Sequence, residues 1–377
     1  MVKRHIANRI SDKLFKGKAI LIFGPRQSGK TTLVKSILKD ITKDILFING
    51  DEFSDREALS KPNVNKLKSL FGKKEIVFID EAQKFPEIGN AIKIIVDKLS
   101  SVQVIATGSS SFELANKLNE PLTGRKYEFL LLPLSFSEMV NYSSLFEEQK
   151  NLELRLLYGY YPEVVMKKDE SMDLIKNITN SYLFKDIFSL EGVRNHLLLE
   201  KLVKAIALQV GSEVSINELS RHLGANHQTV EKYLTVLEQA FVIFKLSSYS
   251  GNLRNEIRKG KKYYFYDCGI RNAIIGNFNL LENRYDVGAL WENYLVSERM
   301  KYLLFKGKDC QKFFWRTTQQ QEIDYIEEIS GETFCYEFKW NKNSKAKFSK
   351  TFTENYKPKK ISLITPANYY EFLTKEG

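Results

Sequence analysis

The first third of the chain alternates between two patterns. Apolar runs occur at residues 20–23, 45–48, 75–80, 102–106 and 127–132, and stretches with helical spacing separate most of them. The runs are mostly apolar at successive positions, as strands buried on both faces are. Strands of this kind alternating with helices predict a parallel sheet covered on both sides, an α/β fold. Residues 1–18 read as a short amphipathic lead-in through Ile6, Ile10, Leu14 and Phe15.

Further along, the pattern changes twice. Residues 135–205 have helical periodicity, broken by the turn Tyr158-Gly-Tyr-Tyr-Pro162-Glu, and read as a small helical lid with its aromatic cluster used for packing. Residues 215–224 predict a short helix stopped at Gly224. Residues 226–238 predict a second helix with an apolar stripe of Val230, Leu234 and Leu237. Strands at 241–246 and 262–266 then flank a tip rich in Gly, Asn and Arg. That order is helix-turn-helix followed by a β wing, a winged helix. The last hundred residues predict a helix over 290–298 and strands over 312–316, 321–326 and 333–340, the last two joined by a tight turn. The expected domains are 1–140, 141–205, 206–270 and 271–377.

The first apolar run leads into Gly24-Pro25-Arg26-Gln27-Ser28-Gly29-Lys30-Thr31-Thr32, which fits G-x-x-x-x-G-K-[ST] at every fixed position. Gly24 and Gly29 let the backbone curl so that successive N–H groups face phosphate oxygens, and the helix beginning near Lys30 adds its positive end. Lys30 is expected to reach the β- and γ-phosphates of ATP, and the Thr31 hydroxyl to ligate Mg2+. The third run ends in Asp80-Glu81 and the fourth in Thr107-Gly-Ser109. In a parallel sheet these ends share one edge with the phosphate loop, where ligands sit. Asp80 is assigned to the magnesium ion and Glu81 to the attacking water. Thr107 or Ser109 senses the γ-phosphate or caps its strand. Arg125 and Arg26 are candidates for neutralising phosphate charge, within one chain or from a neighbouring subunit of a homo-oligomer.

Composition adds less. With 57 Lys and Arg against 46 Asp and Glu, the formal net charge is +11, which suits double-stranded DNA as a partner, though the basic residues are scattered. His227, Gln228, Thr229 and Lys232 on the second helix would face a major groove, with Arg254, Arg258 and Lys259 in the wing. Glu231 and Glu238 on the same helix suit a protein partner instead. The three cysteines, Cys268, Cys310 and Cys335, form no C-x-x-C pair and argue against a disulfide scaffold and a zinc site. No apolar run is long enough to span a bilayer, and the N-terminus has no signal core. The expected location is cytoplasmic, with no membrane partner.

In the C-terminal segment, Asp324 on one strand and Glu337-Phe-Lys339 on the next can converge, because residues two apart share a face. Two carboxylates there could hold a divalent cation, Lys339 could polarise water, and Glu292 could add a third carboxylate. An edge hairpin with alternating charges fits the same spacing.

Taken together, the motif at 24–33, Phe78-Ile-Asp-Glu-Ala-Gln83, Thr107-Gly-Ser-Ser-Ser, Gly124-Arg125, Pro133-Leu-Ser-Phe, Tyr160-Tyr-Pro-Glu, Glu322-Ile-Asp-Tyr and Glu337-Phe-Lys-Trp resemble prokaryotic AAA-type P-loop ATPases with a C-terminal domain of unknown function. The resemblance covers nearly the whole chain. It implies a P-loop NTPase sheet that binds and hydrolyses ATP. It also implies that the last segment has a nuclease-like α/β fold of the PD-(D/E)xK type, through Glu292, Asp324, Glu337 and Lys339. Ile323 stands where that motif has proline. Three functions are expected: an ATP-driven switch on DNA, an ATP-gated metal-dependent nuclease, and a regulator of protein assemblies.

Overall fold

The computed structural model describes residues 1–109, 122–181, 187, 193–250, 260–345 and 348–375. Ser110 and Ser111 of the serine run, and Arg254, Arg258 and Lys259 of the wing, lie outside the described residues. The chain divides into two compact units. One holds residues 3–133 with 239–241, and the other holds residues 1–2, 134–238 and 242–377.

The first unit is built on five parallel strands, β1 (Ala19–Phe23), β2 (Ile45–Asn49), β3 (Ile76–Asp80), β4 (Gln103–Gly108) and β5 (Lys126–Leu130), in the order β2-β3-β4-β1-β5. Every residue of β1, β3 and β4 is buried, whereas β2 and β5 at the edges are half-exposed. This is why the central runs read as continuously apolar. Leu21, Val77, Ile79, Val104 and Ala106 pack on one side with Leu67 and Phe71 of the helix Val64–Phe71 and with Ile92 and Ile95 of the helix Ile88–Lys98. Each of these side chains larger than alanine contributes roughly 1.5–3 kcal/mol on burial.

The second unit contains a seven-stranded mixed sheet. Its strands are β6 (Glu213–Val214), β7 (Ile243–Ser248), β8 (Lys261–Phe265), β9 (Gln311–Arg316), β10 (Glu322–Ile329), β11 (Glu332–Phe338) and β12 (Lys360–Ile364), ordered β12-β11-β10-β9-β7-β8-β6. The helices Ile216–Leu223 and His227–Gln239, the first closed by Gly224 in the left-handed conformation, precede the antiparallel pair β7–β8. β7 also runs parallel to β9, through Ser247 opposite Phe313 and Ser248 opposite Phe314. One sheet thus crosses residue 270, where the character of the sequence changes.

The helix Val287–Lys306 is buried nearly all round, with Leu290, Trp291, Tyr294 and Leu295 inside. Its buried charges are paired: Arg299 is bidentate to Glu327 at 2.7 and 2.8 Å, and Lys301 meets Glu298 at 2.6 Å. In the Tyr158–Glu163 turn, Gly159 has φ +75° and a Cβ there would fall 1.9 Å from Asp267 Oδ1, while the Tyr160 amide donates to Asp267 Oδ2 at 2.7 Å. The turn is a packing device, as its sequence suggests.

Candidate nucleotide site

The loop between β1 and the helix Lys30–Leu38 lies at the carboxyl edge of the first sheet. Its backbone is unusual. Gly24 has φ +152°, and a Cβ on it would lie 1.9 Å from Leu131 O, so only glycine passes there. Gln27 has φ +61°, and Gly29, at the helix N-terminus, has φ +93°. Left-handed residues between right-handed ones turn consecutive N–H groups to one side, which makes an anion nest. Pro25 and Ser28 are buried, Arg26, Gln27 and Thr32 are exposed, and Thr31 is half-buried.

Lys30 is 6 % exposed and donates to Gly24 O and Pro25 O, each at 2.9 Å. Burial lowers its pKa to about 8, against the opposing pull of Glu81 and Asp80. Among the described residues its hydrogen-bond partners are neutral carbonyls, which the oxygens of an anion could replace. Among the described residues, the buried Ser28 hydroxyl has no hydrogen-bond partner.

Across the loop, the end of β3 supplies Asp80. Its Oδ2 accepts from Thr31 Oγ1 at 2.7 Å, and its Oδ1 accepts from Thr107 Oγ1 at the end of β4. Three strand or helix termini therefore meet at one carboxylate. A hydroxyl and a carboxylate this close are the hard oxygen donors that magnesium takes, so Thr31 and Asp80 fit the ion that the motif implies. Glu81 comes next in the left-handed conformation, φ +49° and ψ +46°, a strained geometry for a residue with a Cβ and one that concentrates at functional sites. Gly50 makes room for it: a Cβ there would fall 2.4 Å from Glu81 O.

Two contributors have no role predicted from the sequence. Gln83 Nε2 donates to Glu81 Oε2 at 2.5 Å and to Ser109 Oγ at 3.0 Å, so it links the acid to the neighbouring strand. Arg4 donates to Ser28 O at 2.9 Å and to Leu132 O at 2.6 Å, clamping the phosphate loop to the segment after β5. The Asp-Glu-Ala-Gln spacing hints at the first. Nothing local signals the second.

Arg125 requires a correction. It precedes β5, and its carbonyl accepts from the amide of Ala19, the first residue of β1, so it stands at the amino edge of the sheet. The phosphate loop stands at the carboxyl edge. Arg125 is instead paired with Asp97 at 2.7 Å. Within one chain it does not reach the loop.

The second unit brings together Asp324, Glu337 and Lys339 beside an open cleft of about 490 Å³ that Glu322, Lys345 and Ser349 also line. Lys339 Nζ is 3.5 Å from Glu337 Oε2, and Asp324 Oδ2 accepts from the Phe338 amide at 2.7 Å. Burial, reinforced by Glu337, raises the Asp324 pKa to about 7. Burial likewise raises Glu292 to about 7, against the opposing pull of Lys262. Glu292, expected as a third metal ligand, belongs to the same charged cluster but is paired with Lys262: its Oε1 accepts from Lys262 Nζ at 3.0 Å and from the Tyr264 hydroxyl at 2.6 Å. Among the described residues no three His, Cys, Asp or Glu side chains are placed to hold a metal ion.

On the helix His227–Gln239, His227, Gln228 and Lys232 are exposed as expected, Thr229 is half-buried, and the exposed Glu231 lies 3.5 Å from His227. Among the described residues, no helix is long and apolar enough to cross a membrane.

Three family models match successive segments: an AAA domain over residues 16–140, a domain of unknown function (DUF8612) over 149–281, and a domain of unknown function (DUF4143) over 287–374. An uncharacterized protein of Mycobacterium tuberculosis is 27% identical over 342 residues, 89% of this chain and 74% of that one. An uncharacterized protein of Methanocaldococcus jannaschii is 24% identical over 389 residues, 96% of this chain and 84% of that one. Among solved structures, the Walker-type ATPase PABY2304 of Pyrococcus abyssi matches with TM-score 0.53 at 16% identity, covering 73% of this chain and 96% of that one. That likeness is one of fold. Residues 16–140 are thus similar to an AAA domain, and the first unit shares its fold with a Walker-type ATPase.

Proposed function

We propose that the chain is a magnesium-dependent ATP switch whose nucleotide state governs a winged-helix and C-terminal region acting on double-stranded DNA. The convergence of Thr31 and Thr107 on Asp80, one residue before Glu81, carries the catalytic part of this reading. ATP enters with its phosphates in the loop that begins at Gly24. The loop amides and the start of the helix Lys30–Leu38 bind the β- and γ-phosphates, and Lys30 exchanges its two carbonyl partners for phosphate oxygens. Thr31 and Asp80 would hold the magnesium ion, which supplies charge neutralisation on the phosphates when bound. Glu81, held by Gln83, orients the attacking water and takes up its proton. Thr107 positions Asp80, and Ser109 positions Gln83. A charge-neutralising arginine would come from another subunit, Arg125 or Arg26 being the candidates.

The basic excess and the exposed His227, Gln228 and Lys232 support the DNA part. Glu231 on the same face supports a second reading, in which the helix-turn-helix touches protein. Titration of labelled duplex DNA at several salt concentrations separates the two. Phosphate contacts make log affinity fall linearly with log salt. Absence of any salt-sensitive binding removes the DNA reading and leaves the ATPase untouched.

A further inference from the structure

We infer that the Lys262 ammonium is the resident cation of the C-terminal acidic cluster, standing between Glu292 and Glu322 where a divalent metal would otherwise be drawn. Lys262 is 1 % exposed and belongs to β8, within the strand pair after the helix-turn-helix. Its Nζ lies 3.0 Å from Glu292 Oε1 and 2.5 Å from Glu322 Oε1, and it sits 5.3 Å from the centroid of the Phe314 ring. Arg316 adds a more distant positive charge, 4.0 Å from the other oxygen of Glu322.

A divalent cation bound by carboxylates needs two or three of them turned to one point. Four acids line this region, yet two are turned toward Lys262. Of the others, Asp324 accepts the Phe338 amide and is hydrogen-bonded to Glu337, which also meets Lys339. To enter, a metal ion would have to displace a buried ammonium that has two carboxylates and an aromatic face as partners. A compact permanent charge on a buried stem does the neutralising work that a metal does in a cleavage site. It has no vacant coordination position with which to activate water. The cluster therefore holds two strands and a helix in register, and the wild-type chain takes no metal at Asp324 and Glu337.

The test is Mn2+ binding to the nucleotide-free full-length chain, read as loss of the free-ion electron paramagnetic resonance signal. Weak binding at the phosphate loop is common to all variants and cancels in the comparison. Wild type and Asp324→Asn are expected to agree within about twofold. Lys262→Met is expected to gain a site at least tenfold tighter than that background, and Lys262→Met with Asp324→Asn to lose it again. A tenfold loss of Mn2+ affinity on Asp324→Asn in the wild-type background would overturn the inference, as would a folded Lys262→Met that gains nothing. If Lys262→Met does not fold, the wild-type and Asp324→Asn pair alone decides. None of these readouts depends on ATP, so failure here leaves the ATPase reading standing.

Discussion

Two buried lysines, Lys30 and Lys262, sit among acids at the two sites, and burial pushes both toward neutrality. Their shifts nonetheless run in opposite directions. Among the described residues, Lys30 hydrogen-bonds to carbonyl oxygens alone, and its pKa falls to about 8. Lys262 touches two carboxylates, and its pKa rises although burial opposes it. The number of anionic partners in direct contact decides the outcome. Lys30 is a charge waiting for an anion, and Lys262 is a charge already matched. The same residue type therefore marks a binding site in one unit and a structural joint in the other.

The sharpest way to break this contrast is to remove each lysine. Lys30→Ala should abolish measurable ATP affinity, a loss of at least about 100-fold by titration with a fluorescent analogue, while the fold survives. The second-largest effect should come from Glu81→Gln: ATP binding within a few-fold of wild type, turnover lower by about 10²–10⁴-fold in a phosphate-release assay. Unchanged turnover would reassign the water-orienting role. Lys262→Met should leave nucleotide affinity alone but destabilise the second unit by about 3–5 kcal/mol in denaturant unfolding, because it leaves buried carboxylates unpaired. Stability loss on Lys30→Ala equal to that on Lys262→Met would dissolve the contrast.

Acidity sharpens it further. Between pH 8 and 10.5 the folded chain binds fewer protons at Lys30 than the unfolded chain does. Stability of the nucleotide-free protein should rise with pH across that window, and Lys30→Ala should flatten the slope. Asp324 shows the reverse. Its folded pKa of about 7 lies above the ordinary 3.8, so its contribution is present at low pH and lost as pH climbs toward 7. Asp324→Asn should flatten the profile there. The smallest effect expected is that of Arg4→Ala, a several-fold weaker ATP affinity from a loosened phosphate loop.

The first unit is legible because its determinants are local. The loop spacing lies within ten residues, and the acids and hydroxyls fall at strand ends, where a parallel sheet gathers them whatever the strand order. Arg125 misleads for the same reason in reverse: its sequence neighbourhood looks functional, but it precedes its strand and so sits on the opposite edge. Lys262 is invisible in the sequence because its partners, Glu292 and Glu322, are 30 and 60 residues away. Only the placement of β8 relative to the helix Val287–Lys306 and to β10 brings them together. Hydrophobic periodicity carries no information about such a meeting.

The parallel pairing of β7 with β9 bears on how the protein can be taken apart. A fragment ending at residue 270 would lose β9 from the side of Ser247 and Ser248, where Tyr249 also gives its amide to Phe314. That leaves a bare, hydrogen-bond-hungry strand margin beside the aromatic side chains of β8, a surface prone to self-association. Cutting the helix-turn-helix away from the C-terminal strands should therefore yield aggregates rather than a smaller working piece, and surgery on this chain is better placed near residue 133.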